Sequence, residues 1–303
     1  MSPIVHFPSD RLLRYEHLNS LWKTAMIYTR LLARLGNQMF QYAAGRGLAA
    51  RLGVDFTVDS RRAVHKGDGV LTRVFDLDWA APENMPPAQH ERPLAYYAWR
   101  GLRRDPKIYR ENGLGYNAAF ETLPDNTYLH GYWQCERYFA HIADDIRAAF
   151  VPRHPMSAQN ADMARRIASG PSVSLHVRRG DYLTVGAHGI CDQTYYDAAL
   201  AAVMQGLPSP TVYVFSDDPQ WAKDNLPLTF EKVVVDFNGP DSDYEDMRLM
   251  SLCQHNVIAN SSFSWWGAWL NANPQKRVAG PANWFSNPKL SNPDILPSRW
   301  IRI

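Results

Sequence analysis

The chain has 303 residues, 46% of them apolar, and its 32 basic and 30 acidic residues give a net charge of +2. This length suits two domains of ordinary size, and the apolar fraction is enough to fill both cores. So balanced a charge excludes the broad positive surface of nucleic-acid-binding proteins, and we expect no nucleic-acid partner.

The N-terminal region and the cysteines bear on location. Residues 1–25 carry five charged side chains where a signal peptide would be apolar, and no stretch reaches the roughly 20 apolar residues of a membrane helix. The three cysteines are widely spaced and lack a CxxC pair, which fits a reducing cytosol. We therefore predict a cytoplasmic protein without a transmembrane segment, which leaves peripheral membrane contact open, and treat residues 1–25 as an extension of unassigned role.

The first half opens as a strand, a helix and a second strand. An apolar strand is predicted over 26–32, a helix follows to about Leu52 with Gly53 at its C-terminus, and residues 54–58 alternate as a strand does. The stretch 60–125 is rich in Pro, Gly, Trp and Tyr and receives no assignment. Pro152 and Pro155 interrupt the pattern, so we predict domains over 26–152 and 153–303.

The second half alternates strands with helices, which indicates a parallel sheet covered on both faces. Strands are predicted at 172–177, 211–215, 232–236 and 256–260. Helices are predicted near 193–205, 219–225 and 245–254, with an apolar helix from about Trp265.

Polar motifs follow three of these strands. They are His176 to Asp181 (HVRRGD), Ser216 to Pro219 (SDDP) and Asn260 to Ser264 (NSSFS). Ligands of open parallel sheets bind outside the carboxyl ends of the strands, so we expect the motifs to share one site. Arg178 and Arg179 are predicted to form a diphosphate clamp, because guanidinium groups are planar, always charged and bidentate.

Several of these residues have a structural alternative. Ser216 or Asp217 could cap a helix, and Ser261 and Ser262 could either cap the next helix or help to bind an anion at its N-terminus. Trp133 has a polar setting in which it could face a ligand. The tryptophans at 265, 266 and 269 are predicted to pack in the core, and the acidic pair Asp241 and Asp243 to lie in a solvated loop rather than to bind a metal.

Sequence blocks along the chain resemble a known family. In order from Met26 to about Pro281 they are Leu35–Ala43 (LGNQMFQYA), His130–Phe139 (HGYWQCERYF), His176–Tyr182 (HVRRGDY), Val214–Asp218 (VFSDD), and Glu245–Met247 continuing to Ala259–Ala268 (ANSSFSWWGA). Together they resemble bacterial α-1,2-fucosyltransferases of the inverting glycosyltransferase family 11. The chain departs from the family at Ala33 and Arg34, where a second glycine pair is usual.

The resemblance implies an α/β fold of the GT-B type, in which two Rossmann-type domains face a cleft. The N-terminal domain would then lie on the acceptor side, and the C-terminal domain would bind the GDP-sugar. The implied donor is GDP-β-L-fucose, and the implied acceptor is a galactose-containing oligosaccharide or glycolipid. No cofactor and no metal are expected.

Residue roles follow from the same resemblance. Arg178 would contact the β-phosphate of the donor and is the expected catalytic residue. The other expected donor-binding residues are Asn37 beside the phosphates, His176 and Asp217 near the guanosine, and Ser261 and Ser262 on phosphate oxygens. Acceptor-side candidates are Trp133, Gln134 and Glu136.

The general base is not assigned; Asp181 and Glu136 are candidates because they lie in ligand-type motifs. Two alternatives to fucosyl transfer remain: a transferase of the same fold that uses another GDP-sugar, and a carbohydrate-binding protein without transfer activity.

Overall fold

The computed structural model describes residues 25–67, 69–82, 84–180, 191–287 and 290–303. A four-stranded sheet occupies the first half, and all its strands are parallel, in the order β2-β1-β4-β3. The strands are β1 (Met26–Arg30), β2 (Asp55–Asp59), β3 (Lys107–Arg110) and β4 (Thr127–His130). The helices of this half are α1 (Leu35–Leu52), α2 (Arg61–His65), α3 (Leu71–Val74), α4 (Pro93–Gly101) and α5 (Ala143–Ala149), with 3-10 turns at Ala118–Thr122, Glu136–Tyr138 and Ala140–Ile142.

The second half holds a six-stranded sheet, again entirely parallel, in the order β10-β9-β8-β5-β6-β7. Its strands are β5 (Ser172–Val177), β6 (Thr211–Ser216), β7 (Glu231–Val235), β8 (His255–Val257), β9 (Val278–Gly280) and β10 (Ile301–Arg302). Its helices are α6 (Ala158–Ala168), α7 (Gln193–Met204), α8 (Pro219–Asn225), α9 (Tyr244–Leu252) and α10 (Ser262–Leu270). The predicted parallel sheet is therefore present.

Helix α1 is buried on nearly every side. Its residues pack against β1 and β2 and also against α10 from the second half. It ends at Gly53, whose φ of 66° is a left-handed conformation that glycine adopts without strain. The predicted C-terminal glycine of this helix is confirmed.

One hydrophobic core joins the two halves. Trp265, Trp266 and Trp269 of α10 are at most 1% exposed and belong to the same cluster as Phe40 of α1. The rings of Phe40 and Trp265 lie 4.4 Å apart, and Phe139 stacks on Trp266 at 5.5 Å. The prediction that these tryptophans serve packing is confirmed, since large aromatic side chains contribute most when fully buried.

The sheets fall on either side of the predicted domain boundary. The segment at the boundary still pairs with the first half, because Pro152 bridges to Phe75 and the Arg153 amide donates to the Val74 carbonyl at 2.9 Å. The boundary itself stays a prediction. Within the described part of the chain, no helix combines the length and the apolar character that crossing a bilayer requires.

Candidate active site

A cleft of about 700 Å³ lies between the two halves at the carboxyl ends of their strands. The first half contributes Ala33, Arg34, Leu35, Gly36, Asn37, Leu114, Tyr132 and Gln134. The second half contributes His176, Arg178, Phe215, Ser216, Asp217, Pro219, Asn238, Gly239, Pro240, Asp243, Asp246, Met250, Asn260, Ser261, Ser262, Phe263, Trp284 and Phe285. This is the edge at which parallel α/β sheets bind their ligands.

Arg178 and Asp217 are brought together by strand pairing. Val177 of β5 is the register partner of Ser216 of β6, so the residues that follow each strand lie side by side. The Nε atom of Arg178 lies 3.2 Å from Oδ2 of Asp217, and Oδ1 accepts the Arg179 amide at 2.9 Å. Asp217 therefore orients the guanidinium of Arg178 within the cleft.

Arg179 does not join Arg178 as a second cleft cation. Its guanidinium carbon lies 3.7 Å from the ring centre of Trp221, and the residue is not part of the cleft lining. The predicted paired clamp is wrong in this respect, because consecutive residues leaving a strand point in opposite directions. One arginine faces the cleft, and the other stacks on an aromatic ring, as guanidinium groups favour.

His176 is buried and uncharged. The residue is 4% exposed, and burial, with the positive charge of Arg178 adding to it, lowers the pKa of its imidazole to about 3. Its Nδ1 atom has no hydrogen-bond partner among the described residues. A neutral ring with an unsatisfied nitrogen at the cleft surface is suited to hydrogen-bond a ligand.

Two helix N-termini meet in the cleft. A Cβ atom placed on Gly36, in the first turn of α1, would lie 2.7 Å from the Ser262 carbonyl carbon, at the start of α10. The Trp266 indole also donates to the Gly36 carbonyl at 2.9 Å. Neither helix has an acidic residue in its first turn, so no carboxylate there neutralises its N-terminal dipole. Two helix N-termini this close together are suited to bind an anion.

Some of the serines and acidic residues near the starts of α8 and α10 cap a helix, and others line the cleft. Ser261 caps α10, its Oγ accepting the Phe263 amide at 3.4 Å, and Ser262 lines the cleft beside it. At the start of α8 the cap is Asp218, whose Oδ1 accepts the Trp221 amide at 3.1 Å. Of the alternative in which Ser216 or Asp217 caps this helix, only a local contact is present: Ser216 Oγ accepts the Asp218 amide at 3.0 Å, and the N-cap itself is Asp218. Asp217 is left to pair with Arg178.

Asn37 and Gln134, both from the first half, are hydrogen-bonded to each other in the cleft lining. The side-chain amide of Gln134 donates to Oδ1 of Asn37 at 2.6 Å, and both residues line the cleft. The loop that carries Gln134 is fixed by Glu111, whose two carboxylate oxygens accept the amides of Tyr132 at 2.6 Å and Trp133 at 2.9 Å. Trp133 has a φ of 55°, a conformation that a large side chain adopts only where its surroundings impose it.

Trp133 and Glu136 lie elsewhere than the sequence predicted. Trp133 is fully buried among Tyr109, Phe120 and Tyr138, and its ring does not reach the cleft. The positive φ turns the indole inward, so burial in an aromatic cluster replaces the expected ligand contact. Glu136 pairs with Arg299 and accepts the Trp269 indole proton at 3.2 Å, outside the cleft lining.

Asp181 lies outside the described residues. Neither candidate for the general base is therefore placed at the cleft by the described structure.

Sequence reasoning did not place three charged residues at the cleft, and it assigned one of them, Asp243, to a solvated loop. Asp246 on α9 lies in the cleft, with Oδ1 accepting from Asn238 at 2.7 Å, and burial raises the pKa of its carboxyl to about 7. Asp243 shares that rim, whereas Asp241 is 98% exposed, so only half of the acidic pair is remote from the site. Arg34 adds a cation from the first half. The acidic first turn of α9 was visible in the sequence, but any helix N-terminus favours such acids.

The chain is similar to known glycosyltransferases. Residues 112–303 match the family model described as Glycosyl transferase family 11. The chain is 30% identical over 295 residues to Alpha-1,2-colitosyltransferase of Escherichia coli, a match covering 92% of this chain and 99% of the relative. It is 27% identical over 306 residues to the O-antigen biosynthesis glycosyltransferase WbnK of Escherichia coli, covering 91% and 100%.

A eukaryotic relative and a solved structure extend the comparison. Galactoside alpha-(1,2)-fucosyltransferase 1 of Lagothrix lagotricha is 27% identical over 270 residues, covering 84% of this chain and 67% of the relative. The crystal structure of fucosyltransferase NodZ from Bradyrhizobium superposes with a TM-score of 0.50 at 15% identity, covering 81% of this chain and 92% of NodZ. The predicted GT-B fold is confirmed. A family model that matches more than half of the chain and a relative 30% identical along almost its whole length show that the protein belongs to glycosyl transferase family 11.

Proposed function

We propose that the protein moves L-fucose from GDP-β-L-fucose to the 2-hydroxyl of a terminal galactoside with inversion at the anomeric carbon. The observation that carries this proposal is the convergence of Arg178 and the N-termini of α1 and α10 on one cleft. A nucleoside diphosphate is the ligand that such a cluster of positive ends suits best. The similarity to galactoside alpha-(1,2)-fucosyltransferase 1 supports the choice of sugar and acceptor.

Arg178 would stabilise the leaving group. In an inverting transfer the acceptor hydroxyl attacks C1 of fucose from the face opposite GDP, the C1–oxygen bond to the β-phosphate breaks, and negative charge grows on that phosphate. The proton of the attacking hydroxyl is released to solvent as the new C1–oxygen bond forms, and GDP leaves as the anion. A cation that Asp217 already holds in place needs no reorganisation as this charge develops. Asn37, Ser261 and Ser262 lie close enough to the helix ends to bind the remaining phosphate oxygens.

Part of the cleft lining suits a guanine base. Phe215, Met250 and Phe263 supply an apolar slot, and the carboxyl of Asp246 lies in the same lining. Guanine presents two neighbouring donors, N1–H and N2–H, that one carboxylate can accept together, whereas adenine presents an acceptor at N1. His176, neutral and 5.9 Å from the Phe263 ring centre, is a further polar group of the lining.

The first half would hold the acceptor. Tyr132 is 39% exposed at the cleft edge, with Leu114 and Gln134 beside it. An exposed aromatic ring next to an amide is a usual platform for a sugar, because the ring packs on C–H groups while the amide bonds a hydroxyl. Gln134 therefore keeps its assignment as an acceptor-side residue, and Tyr132 joins it in place of Trp133.

We propose that transfer needs no metal or other cofactor. Arg178, Arg34 and two helix N-termini already place positive charge where the diphosphate would lie. These groups can neutralise the leaving group in the way a metal ion does in other transferases.

A second donor has a specific observation in its favour. The relative with 30% identity is an alpha-1,2-colitosyltransferase, and colitose is fucose without its 3-hydroxyl. The phosphate and base contacts described above would be the same for either sugar. Donor choice is therefore decided by contacts to the sugar ring alone.

The test is a transfer assay with GDP-fucose, GDP-colitose and GDP-mannose against a panel of galactosides, with and without EDTA, followed by linkage analysis. We expect a fucosyl α-1,2 product, formed equally in EDTA. A higher kcat/KM with GDP-colitose would replace the donor, and loss of activity in EDTA would refute metal independence. A protein that binds galactosides but neither binds GDP nor forms product would instead be a carbohydrate-binding protein.

A further inference from the structure

Helix α4 and Leu102, its C-cap residue, carry an apolar stripe on an exposed face. Leu94, Tyr97 and Leu102 are 85%, 49% and 66% exposed, and Ala98 and Gly101 between them are exposed as well. Positions 94, 97, 98, 101 and 102 follow the spacing of one helix face. We call these five residues the α4 stripe. The opposite side of the helix packs against the rest of the protein, where Tyr96 is 1% exposed.

Basic side chains surround the α4 stripe. Residues 91–110 contain six basic and two acidic residues, although the whole chain has a net charge of only +2. Arg92, Arg100, Arg103 and Arg104 are all exposed, at the ends of the stripe and along it. The surface therefore combines protruding apolar side chains with long cationic ones, whose stems can lie along apolar surface while their charged heads stay in water.

Helix α4 is hydrogen-bonded to residues near the edge of the first sheet that faces the cleft. The hydroxyl of Tyr96 lies 2.7 Å from Nδ1 of His130, the last residue of β4 and two positions before Tyr132 in the cleft lining. The Tyr97 hydroxyl accepts from Gln89 at 3.1 Å, and Gln89 in turn accepts from Arg30, the last residue of β1, at 2.8 Å. A surface that binds the stripe would therefore lie near the acceptor side of the cleft.

We propose that the α4 stripe and its arginines dock the protein on a membrane surface that contains anionic phospholipids. The apolar side chains enter the acyl boundary, and the arginines meet the phosphate groups. This position would present the cleft to an acceptor embedded in or attached to that membrane, a consequence that rests on the proposed function. Docking itself does not depend on it.

Charge argues against a second copy of the chain as the occupant. A symmetric contact between two α4 stripes would bring the arginines of one copy towards those of the other. Like charges facing each other across an interface disfavour association. An anionic lipid surface satisfies the apolar and the cationic parts of the patch together.

The experiment is vesicle flotation of the full-length protein. Vesicles of phosphatidylcholine alone are compared with vesicles that contain about one third phosphatidylglycerol. We expect binding to the anionic vesicles, weak binding to the neutral ones, and release as salt is raised. Leu94→Glu and Leu102→Glu should each lower binding by about tenfold or more, and Arg100→Glu by about fivefold or more.

The matched control is Leu252→Glu, which changes a leucine that is 47% exposed in the second half and should leave vesicle binding unchanged. Equal binding to neutral and anionic vesicles, or unchanged binding of the stripe variants, would overturn the proposal. So would a wild-type dimer in light scattering that the stripe variants abolish. Vesicle binding is read without any substrate, so a protein that floats with vesicles but transfers no fucose would refute the proposed function and leave the docking surface standing.

Discussion

The two halves of the molecule contribute different kinds of groups to the cleft. The second half supplies polar and charged side chains, such as Arg178 and Asp217, at the ends of neighbouring strands. The first half supplies mainly backbone: the N-terminus of α1 and a loop held by Glu111. Side chains that form a site can be recognised in a sequence by their chemistry. Backbone groups that form a site can be recognised only once the fold of the chain is known.

The largest effect is expected for Arg178→Ala, which tests the side chains that the second half contributes to the cleft. Loss of a preorganised cation on the leaving group should lower kcat by about 100- to 1,000-fold. The control is Arg179→Ala, the adjacent arginine that stacks on Trp221 outside the cleft. Steady-state kinetics with GDP-fucose measure both variants. Equal losses in the two would show that the strand end, and not the Arg178 guanidinium, is what matters.

The corresponding test of the backbone groups that the first half contributes is Gly36→Ala. The added methyl group would lie within 2.8 Å of the Phe263 amide nitrogen, so α1 and α10 would have to move apart. We expect a loss of about 1 to 3 kcal/mol in the free energy of unfolding, and about 100-fold in kcat/KM because the two helix ends no longer share one anion. Gly170→Ala is the control, since nothing lies within 4 Å of its added Cβ. If Gly36→Ala kept wild-type kinetics, the proposal that the two helix N-termini bind one anion together would be refuted.

The pH dependence of donor binding probes Asp246. Burial raises the pKa of its carboxyl to about 7, with the negative charges of Asp243 and Glu245 also raising it. If guanine donates to the ionised form, binding releases a proton, and affinity must rise as the pH increases through that pKa. Between pH 6 and pH 8 the ionised fraction grows about tenfold, and the affinity for GDP-fucose should follow it.

GDP-fucose is the ligand for this titration because, unlike GDP, its diphosphate has no second ionisation near neutral pH. Asp246→Asn should bind more weakly and without the pH dependence. A variant that keeps the full pH profile would assign the titration to another group and withdraw Asp246 from base recognition.

The smallest expected effect concerns Glu111. Its carboxylate accepts two backbone amides, whereas the side-chain amide of Glu111→Gln would offer one acceptor and turn a donor towards the other N–H. A weakened hydrogen bond of about 1 kcal/mol corresponds to about fivefold, and we expect it as a rise in acceptor KM with donor binding unchanged. Glu121→Gln, at a carboxylate away from the cleft lining, is the control. A change in donor affinity instead would place the 131–134 loop on the donor side.

What could be predicted from sequence follows the same division. Strand β5 was predicted at 172–177 and α8 at 219–225, the bounds the structure has, because apolar runs and a proline mark them. Strands β3 and β4 have four residues each and were missed, since so short a run carries no readable alternation. Helix α4 lies in the stretch 60–125 that received no assignment. Its apolar residues occupy both a buried and an exposed side, so they do not form the single apolar face by which a helix is recognised.

Two of the errors at the site are of one kind. Trp133 looked like a ligand platform because its sequence neighbours are polar, but its φ of 55° sends the ring inward. Arg179 looked like the partner of Arg178, yet alternation at the strand end separates the two. Both depend on backbone direction at a single residue, which side-chain chemistry does not reveal.

The shared aromatic core has a consequence for cutting the chain. Phe40 and Phe139 come from one side of residue 152, and Trp265 and Trp266 from the other, yet their rings pack together. Fragments made by splitting the chain there would each expose an aromatic surface that water solvates poorly. We expect them to recover structure and activity only when mixed, as one cooperative folding unit built around two sheets would.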